Sequence, residues 1–485
     1  MTFLNNKLNM KLSFVWSLFI LCSLSNCAQS APTQAGCSIE FQAKAYKNKT
    51  FYLASHYGKF QTLVDSVIGD ANGKLIFKND ETYVSGIYML VNNANEIEIE
   101  FLMDDVQQFK IKPDSQNPSK TTIDQSPLNI DFRDFNVFLK TKRSEIDVLK
   151  TSFESSNVKS EKAIYQKKIE FIETEISQYK QNYSASHSNT LALLFKLTQP
   201  IDDFSSLAEN QKLATKEDSI SYLKTNYFKG INFNDNRLLR NPFLEPKLST
   251  YFEVFVPKTV DAITKEITNL LEIANTPESE LFKYMSLYFM DLYIDPKQMG
   301  HDRIFLNLYN SYFKTQTYDW LPLTQKELFK SKARFLEHNQ IGTKARELFM
   351  NSMDGKPFYL SDLTANYTVL IFWDPTCGHC QTEIPRINRL YNDDWKNMNL
   401  SIYAVNMNSE VREEWGKFIT THKLSAWNHV SPASSVSGNY SQKDVDYQTL
   451  YNIQQTPVFY LLDKDKTIIA KDIDPDDYLR LIQRK

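Results

Sequence analysis

Beyond Lys356 the chain alternates strand-like and helix-like blocks, and a Cys-x-x-Cys pair falls at the junction of the first two. The blocks are Thr368 to Trp373, a helical stretch from about Gly378 to Tyr391, then Leu400 to Val405. A second helical stretch follows around Glu410 to His422, then Val458 to Leu462 and Thr467-Ile468-Ile469. Helical crossovers between apolar strands imply a sheet covered on both faces. The last two strands, joined through Lys464-Asp465, should form a terminal hairpin. At the end of the first strand stands Trp373-Asp374-Pro375-Thr376-Cys377-Gly378-His379-Cys380. The same spacing supplies half of many zinc sites, but the remaining cysteines, Cys22, Cys27 and Cys37, offer no second pair to complete one.

The 485 residues are too many for one ordinary core, so several domains are expected. Residues 31–138 carry short apolar runs, among them Phe51-Tyr52-Leu53, Leu75-Ile76-Phe77 and Ile87 to Val91, with Asn72-Gly73 as a hairpin-turn signal. A small antiparallel β domain fits. In residues 139–350 the period changes: Ile169, Ile172, Ile176, Tyr179 and Tyr183 recur at steps of three and four, which is a helix face. That face meets either a neighbouring helix or a second chain in a short coiled coil. Val260 to Ala274, Glu280 to Tyr293 and Leu323 to His338 also read as amphipathic helices, so the middle domain is mostly α-helical. Residues 351–485 are the α/β domain. With 42% hydrophobic and 23% charged residues the chain is globular in composition, and a net charge of -3 gives it no field that would attract nucleic acid.

Residues 1–30 differ in kind. Lys7 and Lys11 precede an apolar run from Leu12 to Leu24 that is short for a membrane span and reads as a signal peptide. Leu24-Ser25-Asn26-Cys27 resembles the lipobox of bacterial lipoproteins, with Asn26 departing from the usual small residue. Lipidation of Cys27 and ordinary cleavage after Ser30 are both open, and a non-cleaved anchor is the third route. Export to the periplasm or cell envelope is expected on either processing route. Contact with the membrane would then be through the lipid anchor alone.

The segment around Cys377 resembles the thioredoxin superfamily. Phe372-Trp373 before the pair and Glu383-Ile384-Pro385 after it look like the exported TlpA and ResA branch. Thr456-Pro457, just before a strand, stands where the superfamily places a cis-proline beside the cysteines. The resemblance implies a thiol-disulfide oxidoreductase with no cofactor beyond a redox-active disulfide, Cys377–Cys380. At a helix start, unpaired N–H groups and the helix dipole should lower the pKa of Cys377, making it the nucleophile. Cys380, one turn further in, should resolve the mixed disulfide. His379 would stabilise the thiolate further and make the pair more oxidising than proline would at that position. Glu383 corresponds to the acid of this branch that relays a proton to Cys380. Thr456, Pro457 and Trp373 are the expected substrate-binding residues. Two positions depart from the wider pattern: Ile371 replaces the buried Asp of cytoplasmic thioredoxins, and Thr376 the Trp common before the first cysteine.

The implied partners are exported protein thiols or disulfides and an unidentified membrane electron donor or acceptor, with reduction or isomerisation as the expected direction. The rival class is a binding or scaffold protein of the cell envelope that uses the fold without redox turnover, and Cys377, Cys380 and Pro457, all intact, argue against it. A peroxidase is disfavoured because Pro375-Thr376-Cys377 lacks the Pro-x-x-x-Thr-x-x-Cys spacing.

Overall fold

The computed structural model describes residues 36–114, 116–200, 215–274, 276, 279–432 and 446–483. The apolar leader and Cys27 lie outside them. The chain divides into two compact units, one of Met1–Pro257 with Glu272–Phe282, the other of Lys258–Leu271 with Lys283–Lys485. Among the described residues no helix is long and apolar enough to cross a membrane.

The first unit opens with β1 (Cys37–Gln42), β2 (Thr50–Tyr57), β3 (Phe60–Ile68), β4 (Lys74–Asn79), β5 (Gly86–Asn92), β6 (Ile97–Met103), β7 (Gln108–Lys112) and β8 (Thr122–Asp124). They form two four-stranded sheets, ordered β4-β1-β7-β8 and β3-β2-β5-β6. Alternation along the strands sends Ile39, Phe41, Leu53, Phe77, Leu90, Phe101 and Phe109 into one shared core, as in a sandwich. Each such side chain contributes about 1.5–3 kcal/mol on burial. The pairing is antiparallel as expected, except that β1 and β7 run parallel. Gly73 does adopt a left-handed φ of +74°. Its turn closes no hairpin, however, because β3 pairs with β2 while β4 pairs with β1; it hands the chain from one sheet to the other.

Two long helices follow, α1 (Pro127–Ser155) and α2 (Lys159–Ser186), then α3 (Thr190–Thr198), α4 (Lys216–Asn226) and α5 (Leu244–Phe255). The periodic face of α2 turns inward. Ile169 and Ile172 pack on Ile146 of α1, Tyr179 stacks on Phe138, and the Tyr183 hydroxyl donates to Asp131 at 2.8 Å. The apolar stripe is therefore satisfied within the chain.

Helices α6 (Val260–Ile273), α7 (Glu280–Ile294), α8 (Asp302–Leu308) and α9 (Leu323–Leu336) lead to the C-terminal sheet. Its strands are β9 (Phe349–Ser352), β10 (Pro357–Tyr359), β11 (Tyr367–Trp373), β12 (Leu400–Asn406), β13 (Asn428–Pro432), β14 (Val458–Asp463) and β15 (Ile468–Lys471), in the order β10-β9-β13-β12-β11-β14-β15. Helices α10 (Gly378–Asp393) and α11 (Arg412–Thr421) are the crossovers, and short α12 (Tyr447–Leu450) and α13 (Tyr478–Gln483) follow. Both faces are covered. Val369, Ile371 and Trp373 pack on one side with Ile384 and Ile387 of α10; Leu370 and Phe372 pack on the other with Tyr451 and Tyr460. The hairpin of β14 and β15 forms as expected. Strand β13 adds a member that the apolar pattern did not announce, because Asn428-His429-Val430-Ser431-Pro432 carries a single aliphatic side chain.

A buried ion pair ties the helices of this unit to the sheet. Lys471 of β15 and Asp302 of α8 meet at 2.5 Å with side chains 1% and 8% exposed. Lys471 also donates to Asn339 at 2.8 Å, and Gln340 donates to Asp302 at 3.0 Å.

Candidate active site

Strand β11 lies in the interior of the sheet, and its C-terminal end delivers the cysteines. Trp373 is its last, wholly buried residue. Pro375 has no N–H and fixes its own φ, so the strand gives way to a turn there. Within the turn the Asp374 carbonyl accepts from the Cys377 N–H at 3.1 Å. Cys377 is then the N-cap of α10, with φ −75° and ψ 122°, and Gly378-His379-Cys380 form the first helical turn.

The antiparallel register of β11 and β14 brings in the second segment. Phe372 stands opposite Val458, so the residues just before β14 reach the end of β11. The Thr456–Pro457 bond there is cis, as expected from sequence. The Cys377 thiol donates to the Thr456 carbonyl with Sγ and O 3.6 Å apart.

The two thiols are not equivalent. Cys377 is half-buried and Cys380 fully buried. Hydrogen bonds from the backbone N–H of Cys380, from Thr456 and from the His379 N–H hold the Cys377 pKa below that of an ordinary thiol. Burial pushes Cys380 up to about 11. Both are free thiols in this structure. Cys37 is a separate thiol in the β sandwich, where burial raises it to about 12. Nothing there would make it reactive, since the thiolate is the nucleophile.

The other residues singled out from sequence stand differently. The His379 side chain is exposed. Glu383 is engaged by Arg386, whose Nη2 and Nε donate to it at 2.7 and 2.9 Å. Arg386 also reaches Asp474 at 3.0 Å and Asp476 at 2.7 Å. Trp373 packs against Phe418 of α11, ring centroids 5.2 Å apart, behind the pair and away from solvent. Cys377, Cys380, Thr456 and Pro457 thus converge, while Glu383 joins an ion-pair cluster and Trp373 joins the core.

Sequence reasoning passed over Asp374. Its Oδ1 accepts from both the N–H and the hydroxyl of Thr376, each at 2.7 Å, and its Oδ2 from Asn408 at 3.2 Å. The signal was available: Asp two residues before Thr across a proline favours a side-chain-to-backbone turn. A shallow groove of about 610 Å³ opens beside this turn, lined by Pro375, Thr376, Gln381, Glu414, Lys417 and Phe418 among others.

Residues 341–471 match the AhpC/TSA family, and residues 196–339 match a domain of unknown function, DUF5106. The thiol-disulfide oxidoreductase ResA of Bacillus cereus is 26% identical over 137 residues, which cover 28% of this chain and 72% of that protein. A domain of a possible thiol-disulfide isomerase from Cytophaga hutchinsonii is 36% identical, covering 30% of this chain and 91% of that one, with a TM-score of 0.26. A thioredoxin-like protein from Bacteroides caccae is 19% identical, covering 57% of this chain and 96% of that one, with a TM-score of 0.43.

Proposed function

Since its C-terminal domain belongs to the thioredoxin-like AhpC/TSA family and is related to the ResA thiol-disulfide oxidoreductases, we propose that this chain reduces or isomerises disulfides of exported proteins through Cys377 and Cys380. The observation that carries the reading is the asymmetry of the pair: an accessible thiol of lowered pKa at a helix start, and a buried thiol of raised pKa one turn inside.

The chemistry follows from that asymmetry. The Cys377 thiolate attacks one sulfur of a substrate disulfide, forming a mixed disulfide and expelling the other sulfur as a thiolate. Cys380 then loses its proton and attacks Sγ of Cys377, breaking the mixed disulfide and releasing the second substrate thiolate. Two electrons have moved to the substrate, and Cys377–Cys380 is left as a disulfide. A thiol donor outside this chain must reduce it again. In isomerisation a substrate thiolate, freed directly or after exchange with another disulfide of the same substrate, instead attacks the substrate sulfur of the mixed disulfide, forming a new substrate disulfide and expelling the Cys377 thiolate unchanged.

Thr456 and Pro457 would form the docking edge. A backbone amide and carbonyl beside the attacking sulfur can pair with an extended substrate strand in the manner of β-augmentation. The groove by Pro375 and Phe418 would take a side chain flanking the substrate cysteine.

Reduction of insulin by dithiothreitol tests the proposal. The chain should accelerate it, Cys377→Ala should abolish the acceleration, and Cys380→Ala should accumulate a mixed disulfide on Cys377 whose partner identifies the substrate. An acceleration that survives Cys377→Ala would refute the assignment. No acceleration by the intact chain would favour a binding role.

A further inference from the structure

We propose that Asp374 is a positioning residue for the redox pair, its carboxylate clamping the 374–377 turn to the end of β12 so that Cys377 is held over the helical N–H groups that support its thiolate. The inference rests on the reading of Cys377 as the attacking thiol.

The argument starts from the donors available in the turn. Pro375 contributes none. The Thr376 N–H and hydroxyl both go to Oδ1 of Asp374 at 2.7 Å, and the Cys377 N–H goes to its carbonyl at 3.1 Å. The turn is thereby closed on one residue. The backbone groups that support Sγ of Cys377 come instead from inside the helix, the N–H of His379 and of Cys380, beside the Thr456 side chain. Whether they reach it depends on the backbone angle at Cys377, which the turn sets. The N–H of Asp374 itself supports Sγ of Cys380, so displacement of this one residue would disturb both sulfurs.

The carboxylate is itself anchored. Asn408 donates to Oδ2 at 3.2 Å. The N–H of Asn408 donates to Oδ1 of buried Asn406 at 3.1 Å, and Nδ2 of Asn406 donates back to the Asn408 carbonyl at 2.9 Å. Asn406 is the residue of β12 that faces Trp373 across the parallel ladder. A chain of polar contacts therefore runs from a buried position of the sheet to the residue that precedes the helix.

Charge and geometry predict opposite signs here. If the carboxylate acted only through its charge, removing it would ease ionisation of Cys377 and speed alkylation. If it acts as the clamp, Asp374→Ala should loosen the turn and raise the Cys377 pKa by about one unit, a tenfold slower capture by iodoacetamide at pH 7. Asp374→Asn, which keeps an acceptor for Thr376, should retain most of the rate. Asn408→Ala, outside the turn, should slow capture about threefold and serves as the variant of choice if Asp374→Ala does not fold. The pH profile of alkylation of the full chain, read with the near-ultraviolet circular dichroism of each variant, decides the matter. Unchanged or faster capture in Asp374→Ala, or equal slowing in Asp374→Asn, would overturn the inference. Because alkylation needs no protein substrate, a chain inactive on insulin would defeat the oxidoreductase reading and still report on the clamp.

Discussion

Sγ of Cys377 lies 3.6 Å from the carbonyl oxygen of Thr456, across 79 residues of chain. One residue caps the helix that follows β11 and the other stands two residues before the start of β14. They meet because those two strands are antiparallel neighbours in register. The contact joins the attacking sulfur to a backbone segment that an extended partner could use.

The difference between the two thiols should be visible in alkylation. Cys377 is lowered by hydrogen bonds to its thiolate, and Cys380 is raised by burial to about 11. At pH 7 to 8, limiting iodoacetamide should modify Cys377 and not Cys380, and the Cys377 rate should reach a plateau at a pH below the ordinary thiol pKa of about 8.5. Peptide mass mapping after a short pulse reads the site. Equal labelling of both cysteines would remove the division of roles.

Thr456→Val separates the side chain from the backbone of that residue. A Thr456 hydrogen bond contributes to the lowering at Cys377, so the variant should raise its pKa by about half to one unit. The backbone carbonyl remains, and exchange with a protein substrate at a pH above the shifted value should recover. A variant that stays slow at every pH would mean that the side chain serves docking and not ionisation.

The Lys471–Asp302 pair should behave as a buried charge couple. Lys471→Met leaves the carboxylate of Asp302 uncompensated and should cost about 3–5 kcal/mol. The double variant Lys471→Met with Asp302→Leu should recover much of that loss, since a packed apolar pair can replace a buried ion pair. Urea denaturation followed by tryptophan fluorescence measures both. Losses that simply add would show that the two side chains act independently.

Two buried imidazoles set an acid limit. Burial holds His56 and His429 down to about 4, whereas each titrates near 6.5 when unfolded. Between those values the unfolded chain binds more protons, so stability rises with pH there. Their contribution is complete above about 6.5 and is lost as the pH falls toward 4, by up to about 3 kcal/mol for each. The thermal midpoint should drop across that window. His56→Phe with His429→Phe should flatten the drop, and an unaltered slope in the double variant would count against this origin.

Local pattern was enough for much of this. The alternation of apolar blocks from Thr368 onward, the helical period around Ile169 and the Cys-x-x-Cys at a strand end are properties of neighbouring residues, and they determined the α/β C-terminal domain, the helical middle and the redox pair. Tertiary structure decided what depends on distant partners. Strand β13 is polar because its ladder, not its side chains, places it in the sheet. The Asn72-Gly73 turn has the backbone form its residues require, yet which strands it joins is settled by pairing elsewhere. Glu383 stands at a suggestive spacing from Cys380, but Arg386, one turn further along the same helix, engages it, and Asp474 and Asp476 reach Arg386 from another part of the chain. Asp374 becomes an anchor only when β12 brings Asn408 beside it. A side chain's chemistry is written in its type; what it acts on depends on which strand folds against it.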